Sequence, residues 1–163
     1  MIELLSKLRY RSEGPDIDFK SAQYRFNGGS EADKAEMLKD ILAIANSWRE
    51  GPGYILLGFK DNRPHPAEVV GIQDSIDDAR IQQFVNSKVK PKLTFSYEEH
   101  LYEGMSVGVI TIPKQKRPFY LTNAYGPAQR GMWRQREYIY GQATKDILQA
   151  IEQVLNQVNR TLG

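Results

Sequence analysis

A continuous apolar run from Tyr54 to Phe59 is the feature that most limits what this chain can fold into. Such a run, without alternating polar residues, is typical of a strand buried at the centre of a sheet. A loop rich in proline and polar residues, Asp61 to Pro66, separates it from Val69–Ile72, and this spacing predicts a hairpin return. The sequence therefore predicts a sheet that contains this strand.

Other strand-like runs lie on either side of that strand. Ile17 and Phe19 alternate with polar residues, which predicts an early strand with one apolar face. Prolines and glycines separate the later runs, which are Leu93–Tyr97, Ser106–Ile112, Pro118–Thr122 and Met132–Tyr140.

Four segments have the periodicity of amphipathic helices. The second begins with the capping pattern Ser30–Asp33 and continues as an apolar stripe to Trp48, and the third begins with a similar pattern at Ser75 and Asp78. The segments are residues 2–8, 30–48, 75–89 and 144–160. Together with the strands they predict an α+β fold, in which about four helices pack on a mixed, mostly antiparallel sheet.

The size of the chain predicts one domain, spanning residues 1–163. With 163 residues and a mass of 18.7 kDa, folding can bury roughly 70% of the unfolded surface, enough for one core. A composition of 40% hydrophobic and 26% charged residues argues against disorder. The chain has no cysteine, no apolar signal core and no apolar stretch of membrane-spanning length. We therefore expect a soluble, cytoplasmic domain without a membrane partner.

Charge is distributed unevenly although the net charge is only +2. Residues 1–80 carry 11 basic and 14 acidic side chains, whereas residues 81–163 carry 11 basic and 6 acidic ones. No acidic residue occurs between Gly104 and Gln135, where aromatic residues are interleaved with cations. The candidate nucleic-acid-binding cations of this run are Lys114, Lys116, Arg117, Arg130 and Arg134. The pattern suits a phosphate backbone with exposed bases, and it equally suits a sheet edge whose aromatics face the core.

A group of carboxylates lies near the early strand. Asp18 and Lys20 share one face of that strand, and Glu13 can fold back to the same side across a Gly-Pro turn. Asp61 ends the central strand, at a sheet margin where functional groups are often displayed. Carboxylates converging beside a lysine could hold Mg²⁺ or Mn²⁺ and orient a phosphate. A solvated strand face with local ion pairs explains the same spacing.

The order of these motifs resembles the Schlafen AlbA-like domain family over about residues 8–155. The resemblance rests on an ordered set of segments and on no single motif. These are Glu13–Lys20, Leu38–Asn46, Gly53–Asp61, Val70–Ile72, Ile110–Pro113, Arg117–Tyr120 and Ala143–Thr144.

The resemblance implies an α+β domain that associates with DNA or RNA, with ATP binding as an older description. The vertebrate Schlafen proteins resemble tandem copies of this domain, and there it implies a metal-dependent endoribonuclease acting on tRNA and rRNA. The acids of that activity would fall on Glu13, Asp18 and Asp61, which would bind Mg²⁺ or Mn²⁺, with Lys20 contacting the scissile phosphate. Asp18 stands where the nuclease members have Glu, which puts the metal geometry in question. A single copy would also need a homodimer to form the paired groove.

Three functions follow as hypotheses. The first is a metal-dependent endoribonuclease for structured RNA such as tRNA, with Glu13, Asp18, Lys20 and Asp61 as catalytic residues. The second is a non-catalytic DNA- or RNA-binding regulatory module that uses the cations and no metal. The third, ATP binding, is disfavoured because the chain has no GxxxxGK[ST] phosphate loop.

Overall fold

The computed structural model describes residues 1–126 and 142–162, with side chains in the last helix described for residues 150–160. This part contains four helices, α1 (Ile2–Leu8), α2 (Glu31–Ala45), α3 (Asp78–Lys88) and α4 (Gln142–Leu162). Its strands are β1 (Ile17–Lys20), β2 (Gly53–Leu57), β3 (Phe59–Asn62), β4 (His65–Val69), β5 (Val89–Lys90), β6 (Ser96–Tyr102), β7 (Met105–Ile112) and β8 (Tyr120–Leu121). The predicted α+β class is confirmed.

The main sheet has the strand order β1–β2–β7–β6. Strand β1 pairs with β2 in parallel, whereas β2–β7 and β7–β6 are antiparallel, as the predicted mixed, mostly antiparallel sheet requires. Two short antiparallel pairs, β3–β4 and β5–β8, lie beside it. Strand β2 therefore lies inside the sheet, as its apolar composition predicts.

The predicted central strand is interrupted at Gly58. This residue has a φ of 91°, a left-handed conformation that glycine adopts without steric cost, and the chain there leaves β2 and enters the β3–β4 hairpin. Space is restricted as well, because a Cβ on Gly58 would lie 2.9 Å from the backbone of Gly71. The predicted hairpin return is confirmed, but its second strand is β4 and not Val69–Ile72.

The sheet separates two apolar clusters because its side chains alternate between faces. On one face, β2 and β7 pack against α2 and α3, and on the other, β1, β2 and β7 pack against α1. Ile17 and Phe19 of β1 belong to the α1 face. Asp18 and Lys20 alternate with them and therefore lie on the α2 face, at the edge of the sheet where polar side chains reach solvent.

The helix ends differ in how far they were predictable. The capping box of α2 is confirmed, since the backbone N–H of Asp33 donates to Ser30 Oγ and that of Ser30 donates to Asp33 Oδ2. The predicted Ser75 cap is wrong: α3 begins at Asp78, and Ser75 instead donates to Glu99 Oε1. The predicted extension of the α2 stripe to Trp48 is also wrong, because the helix ends at Ala45.

The remaining elements agree in kind with the prediction. Strand β7 and helix α4 occupy the predicted segments, while β6 and β8 shift relative to Leu93–Tyr97 and Pro118–Thr122. The predicted strand Met132–Tyr140 lies outside the described residues. Within residues 1–126 and 142–162, no helix combines the length and apolar composition that a membrane span requires.

Candidate functional site

Five side chains, Glu13, Asp18, Lys20, Tyr24 and Asp40, form an acidic cluster between β1 and α2. At its centre, Lys20 Nζ lies 3.2 Å from Asp18 Oδ2 and 3.3 Å from Asp40 Oδ2. The hydroxyl of Tyr24 donates to Asp40 Oδ2 at 2.7 Å. One ammonium group therefore bridges a carboxylate of the sheet and a carboxylate of the helix.

Glu13 joins the cluster from the turn before β1. Its Oε1 accepts from the backbone N–H of Phe19 at 3.1 Å, and its carboxyl lies close enough to Asp18 to act on the pKa of that group. The predicted approach of Glu13 to the Asp18 and Lys20 face is thus present in the structure.

Burial dominates the electrostatics of this cluster. It raises the pKa of Asp18; the ammonium of Lys20 opposes this effect, and the negative charge of Asp40 adds to it. Burial also raises the pKa of Asp40, again against Lys20. For Lys20, burial lowers the pKa, but the attraction of Asp40 and Asp18 outweighs it, and the net shift is upward.

Asp61 takes part in a different interaction. Its Oδ2 pairs with Arg63 Nη2 at 2.7 Å, and its Oδ1 accepts from the Arg63 backbone N–H at 3.2 Å. Asp61 lies in β3, which the chain enters only after the turn at Gly58. An uninterrupted strand from Tyr54 would have left it at the end of the sheet, which is the placement that the sequence suggested.

The described residues do not fit a metal site built on three carboxylates. No group of three Asp, Glu, His or Cys side chains within them could hold a metal ion. Lys20 instead supplies the positive charge beside Asp18 and Asp40. The binding of Mg²⁺ or Mn²⁺ by Glu13, Asp18 and Asp61 stays a prediction from the resemblance.

A cationic pocket of about 290 Å³ lies where α2 ends and the segment after β7 begins. It is lined by Ser47, Arg49, Lys114, Gln115, Lys116 and Arg117, so three of the predicted nucleic-acid-binding residues share it. Arg130 and Arg134 lie outside the described residues.

Arg49 forms the inner wall of the cationic pocket. Its Nη1 donates to the Ile44 carbonyl at 2.8 Å, and its Nη2 donates to the carbonyls of Ile112 and Pro113 at 2.9 and 3.0 Å. Its Nε is buried and has no hydrogen-bond acceptor among the described residues. Burial lowers the pKa of Arg49, and the like charge of Arg117 lowers it further.

Arg117 also lines the pocket, and Trp48 stacks on it from outside the lining. Its Nη1 donates to the Ser47 carbonyl at 2.9 Å, and its guanidinium carbon lies 3.8 Å from the centroid of the Trp48 ring. This is a cation–π stack. Trp48 itself is 75% exposed, which is unusual for a large apolar side chain.

Hydrogen bonds fix the two chain segments that carry the pocket. Asn46 is buried; its side-chain amide donates to the Phe119 carbonyl at 2.9 Å, and its Oδ1 accepts from the Phe119 N–H at 2.7 Å. Gln115 makes a similar two-way contact with the backbone of Thr94. The basic segment is therefore held against the end of α2.

The sequence did not predict four residues of these sites: Tyr24, Asp40, Trp48 and Arg49. Asp40 lies outside the apolar stripe of α2, and this acidic position on a largely buried helix is the one available signal. The apolar periodicity of α2 places Trp48 on the helix stripe, and a residue of that stripe is expected in the core. No local signal marks Arg49, since its partners Ile112 and Pro113 are more than sixty positions away.

Comparisons with known proteins give one family. The family described as "Schlafen, AlbA_2" has a sequence model that matches residues 13–141. No curated protein matches the chain.

The chain is similar to several solved structures, of which two are described here. One is the solution NMR structure of the N-terminal domain of a RecG-related protein from Nitrosomonas europaea, with 21% identity, a TM-score of 0.49, and coverage of 79% of this chain and 86% of that one. The other is the DIP2311 protein from Corynebacterium diphtheriae, with 16% identity and a TM-score of 0.49. That match covers 80% of this chain but only 24% of the other.

Proposed function

Because the chain belongs to the Schlafen AlbA_2 family, we propose that it binds nucleic acid through the cationic pocket. The observation that carries this proposal is the convergence of four cations, Arg49, Lys114, Lys116 and Arg117, on one concavity. Phosphate groups are the natural complement of such a surface, because their neutralisation releases condensed counterions.

The charges of the cationic pocket are only partly neutralised by the protein. Lys114 Nζ lies 3.8 Å from Glu50 Oε2, and both side chains are well exposed, so that pair contributes little. Arg49 and Arg117 are held by carbonyl oxygens, which satisfy hydrogen bonds without cancelling the net charge. Positive charge therefore remains available to an anionic ligand.

We expect binding of labelled tRNA or DNA to weaken steeply with salt. If Lys114, Lys116 and Arg117 each contact a phosphate, log Kd should rise with log salt concentration with a slope of about 2, since each contact to a single strand contributes ~0.7. Lys116→Gln should lower this slope by about 0.7. Fluorescence anisotropy at several salt concentrations measures both quantities.

Lys7→Gln is the matched control for this titration. It removes an exposed lysine from α1, which packs on the opposite face of the sheet, and it should leave the slope unchanged. Binding that does not depend on salt, or equal effects of the two variants, would contradict the proposal.

Cleavage of RNA at the acidic cluster is a second candidate function. It is favoured by the proximity of Glu13 and Asp18, the two acids that the resemblance places in the reaction centre, since Glu13 accepts from the Phe19 N–H next to Asp18. A carboxyl group whose pKa is raised by burial suits proton transfer near neutral pH, and Lys20 could contact a phosphate. Asp61 is paired with Arg63 in the structure.

Cleavage is tested by incubating labelled tRNA with the protein in Mn²⁺ or in EDTA. We expect Asp18→Asn to give no product above the protein-free background, because it removes the carboxyl that could transfer a proton. Asp16→Asn is the control, since Asp16 pairs with Arg11 outside the cluster. Product in Mn²⁺ alone would support the metal chemistry of the family, whereas no product in either condition would leave a binding module.

A homodimer stays a prediction of the resemblance. A second copy would double the phosphate contacts and thereby steepen the salt dependence. Light scattering with and without RNA would measure the stoichiometry.

A further inference from the structure

We infer that the cationic pocket and Trp48 together form a site for single-stranded nucleic acid, in which an unpaired base stacks on the indole ring while its phosphate enters the pocket. The inference rests on the proposed function and adds the class of nucleic acid that the site selects.

Trp48 is exposed and lies next to the cationic pocket. The ring lies just beyond the end of α2 and is 75% exposed, so it contributes little to the core. Arg117 stacks on it, with the guanidinium carbon 3.8 Å from the ring centroid. This contact holds the indole beside the pocket and leaves most of its surface in solvent. A fixed, exposed aromatic ring next to cations is the usual platform for an unpaired base.

Arg49 and Arg117 have hydrogen-bond donors that a phosphate could use. A guanidinium has five N–H donors. The hydrogen bonds that Arg117 makes to the described residues run from Nη1 to the carbonyls of Ser47 and Asn46. The buried Nε of Arg49 has no acceptor in that part of the chain. Burial is the main cause of the lowered pKa of Arg49 and the like charge of Arg117 adds to it, and a phosphate between the two guanidiniums would offset that repulsion.

The adjacency of ring and pocket favours a single strand over a duplex. In a duplex the bases are paired and stacked inside the helix, so that only the backbone would reach the cations. An unpaired nucleotide can present its base to Trp48 and its phosphate to the pocket at the same time. Stacking tolerates any base because every base has a π face, so we expect little sequence preference.

The experiment compares an unpaired oligonucleotide of about 12 nucleotides with a hairpin duplex of similar charge. Trp133→Phe protein is used, in which Trp48 is the remaining tryptophan of the two. We expect the single strand to quench the tryptophan fluorescence and to bind more tightly than the hairpin. Trp48→Ala, made in the otherwise unmodified protein, should weaken single-strand binding by about 10-fold and hairpin binding by less than about 2-fold, as measured by anisotropy.

Two further variants separate stacking from a general disturbance of the site. Trp48→Phe keeps an aromatic platform and should retain most of the single-strand affinity, whereas Trp48→Leu keeps apolar bulk and should lose it. Thermal unfolding of all variants should be nearly unchanged because the residue is exposed.

The outcomes distinguish this inference from the proposed function. Equal losses for the single strand and the hairpin, or no loss for either, would overturn the single-strand assignment and leave nucleic-acid binding in place. Failure of the wild-type protein to bind either probe would overturn both.

Discussion

Lys20→Met should lower the free energy of unfolding by about 1–3 kcal/mol at neutral pH. The substitution leaves Asp18 and Asp40 without the ammonium that lies 3.2–3.3 Å from each of them. Breaking a fully buried ion pair costs about 3–5 kcal/mol, and the partial exposure of this cluster reduces that value. Urea denaturation of the variant and of the wild-type protein measures the difference.

The pH dependence of this effect follows from the direction of the pKa shifts. Burial raises the pKa of Asp18 and of Asp40 in the folded protein, so their protonation favours folding, and this contribution is lost as the pH rises through the raised values. Without Lys20 both pKa values should rise further. The difference between variant and wild type should therefore shrink as the pH falls from 7 towards about 4, near the ordinary value for Asp.

Two variants make the interpretation specific. Lys20→Met combined with Asp40→Asn should recover part of the lost stability. The second substitution removes the carboxylate of Asp40, which would otherwise be left without a positive partner. Lys39→Met is the surface control, since its pair with Glu36 at 3.2 Å is an exposed contact within one helix. A loss for Lys20→Met that does not change with pH would contradict the electrostatic explanation.

Asn46→Ala should destabilise the fold by about 2–4 kcal/mol. Asn46 is buried and satisfies both the carbonyl and the N–H of Phe119, so the substitution leaves two buried backbone groups without their partner. Each such group costs about 1–3 kcal/mol. For a domain of this size, the midpoint of thermal unfolding should fall by roughly 5–15 °C.

Asn46→Ala should also weaken nucleic-acid binding, because Arg117 and Lys116 lie in the segment that Asn46 holds. Asn27→Ala is the control: the side-chain amide of Asn27 also bonds a distant backbone carbonyl, that of Ser75, but in an exposed position. Thermal unfolding of the two variants compares them directly. If both variants lowered the midpoint of thermal unfolding equally, Asn46 would not be the main residue that holds the basic segment against α2.

Local features of the structure were predictable from the sequence. The capping box at Ser30 and Asp33 involves neighbours three positions apart, and the alternation of β1 follows from the two-residue repeat of any strand. The apolar run at β2 likewise predicts burial in the sheet. For these features, the residues that interact are close in sequence.

Local periodicity does not predict where Trp48 and Asp61 lie. Trp48 has the apolar character of a core residue, but the chain ends α2 earlier, and Asn46 binds Phe119, 73 positions away. Asp61 follows an apolar run, but the turn at Gly58 takes it into a hairpin and to Arg63. In both cases a contact or turn that local periodicity does not encode decides where the side chain lies.

The sequence by itself determined the α+β class, the interior strand, the shared face of Asp18 and Lys20, and the presence of a basic segment after β7. Only the tertiary structure decided that Asp40 completes the acidic cluster, that Arg49 lines the cationic pocket and that Trp48 lies beside it. The physical reason is that these contacts depend on how α2 lies against the sheet, and on the pairing of β2 with β7, which brings residues 112 and 113 beside the end of the helix. Periodicity fixes the face on which a side chain lies, whereas packing between distant segments fixes what that side chain meets.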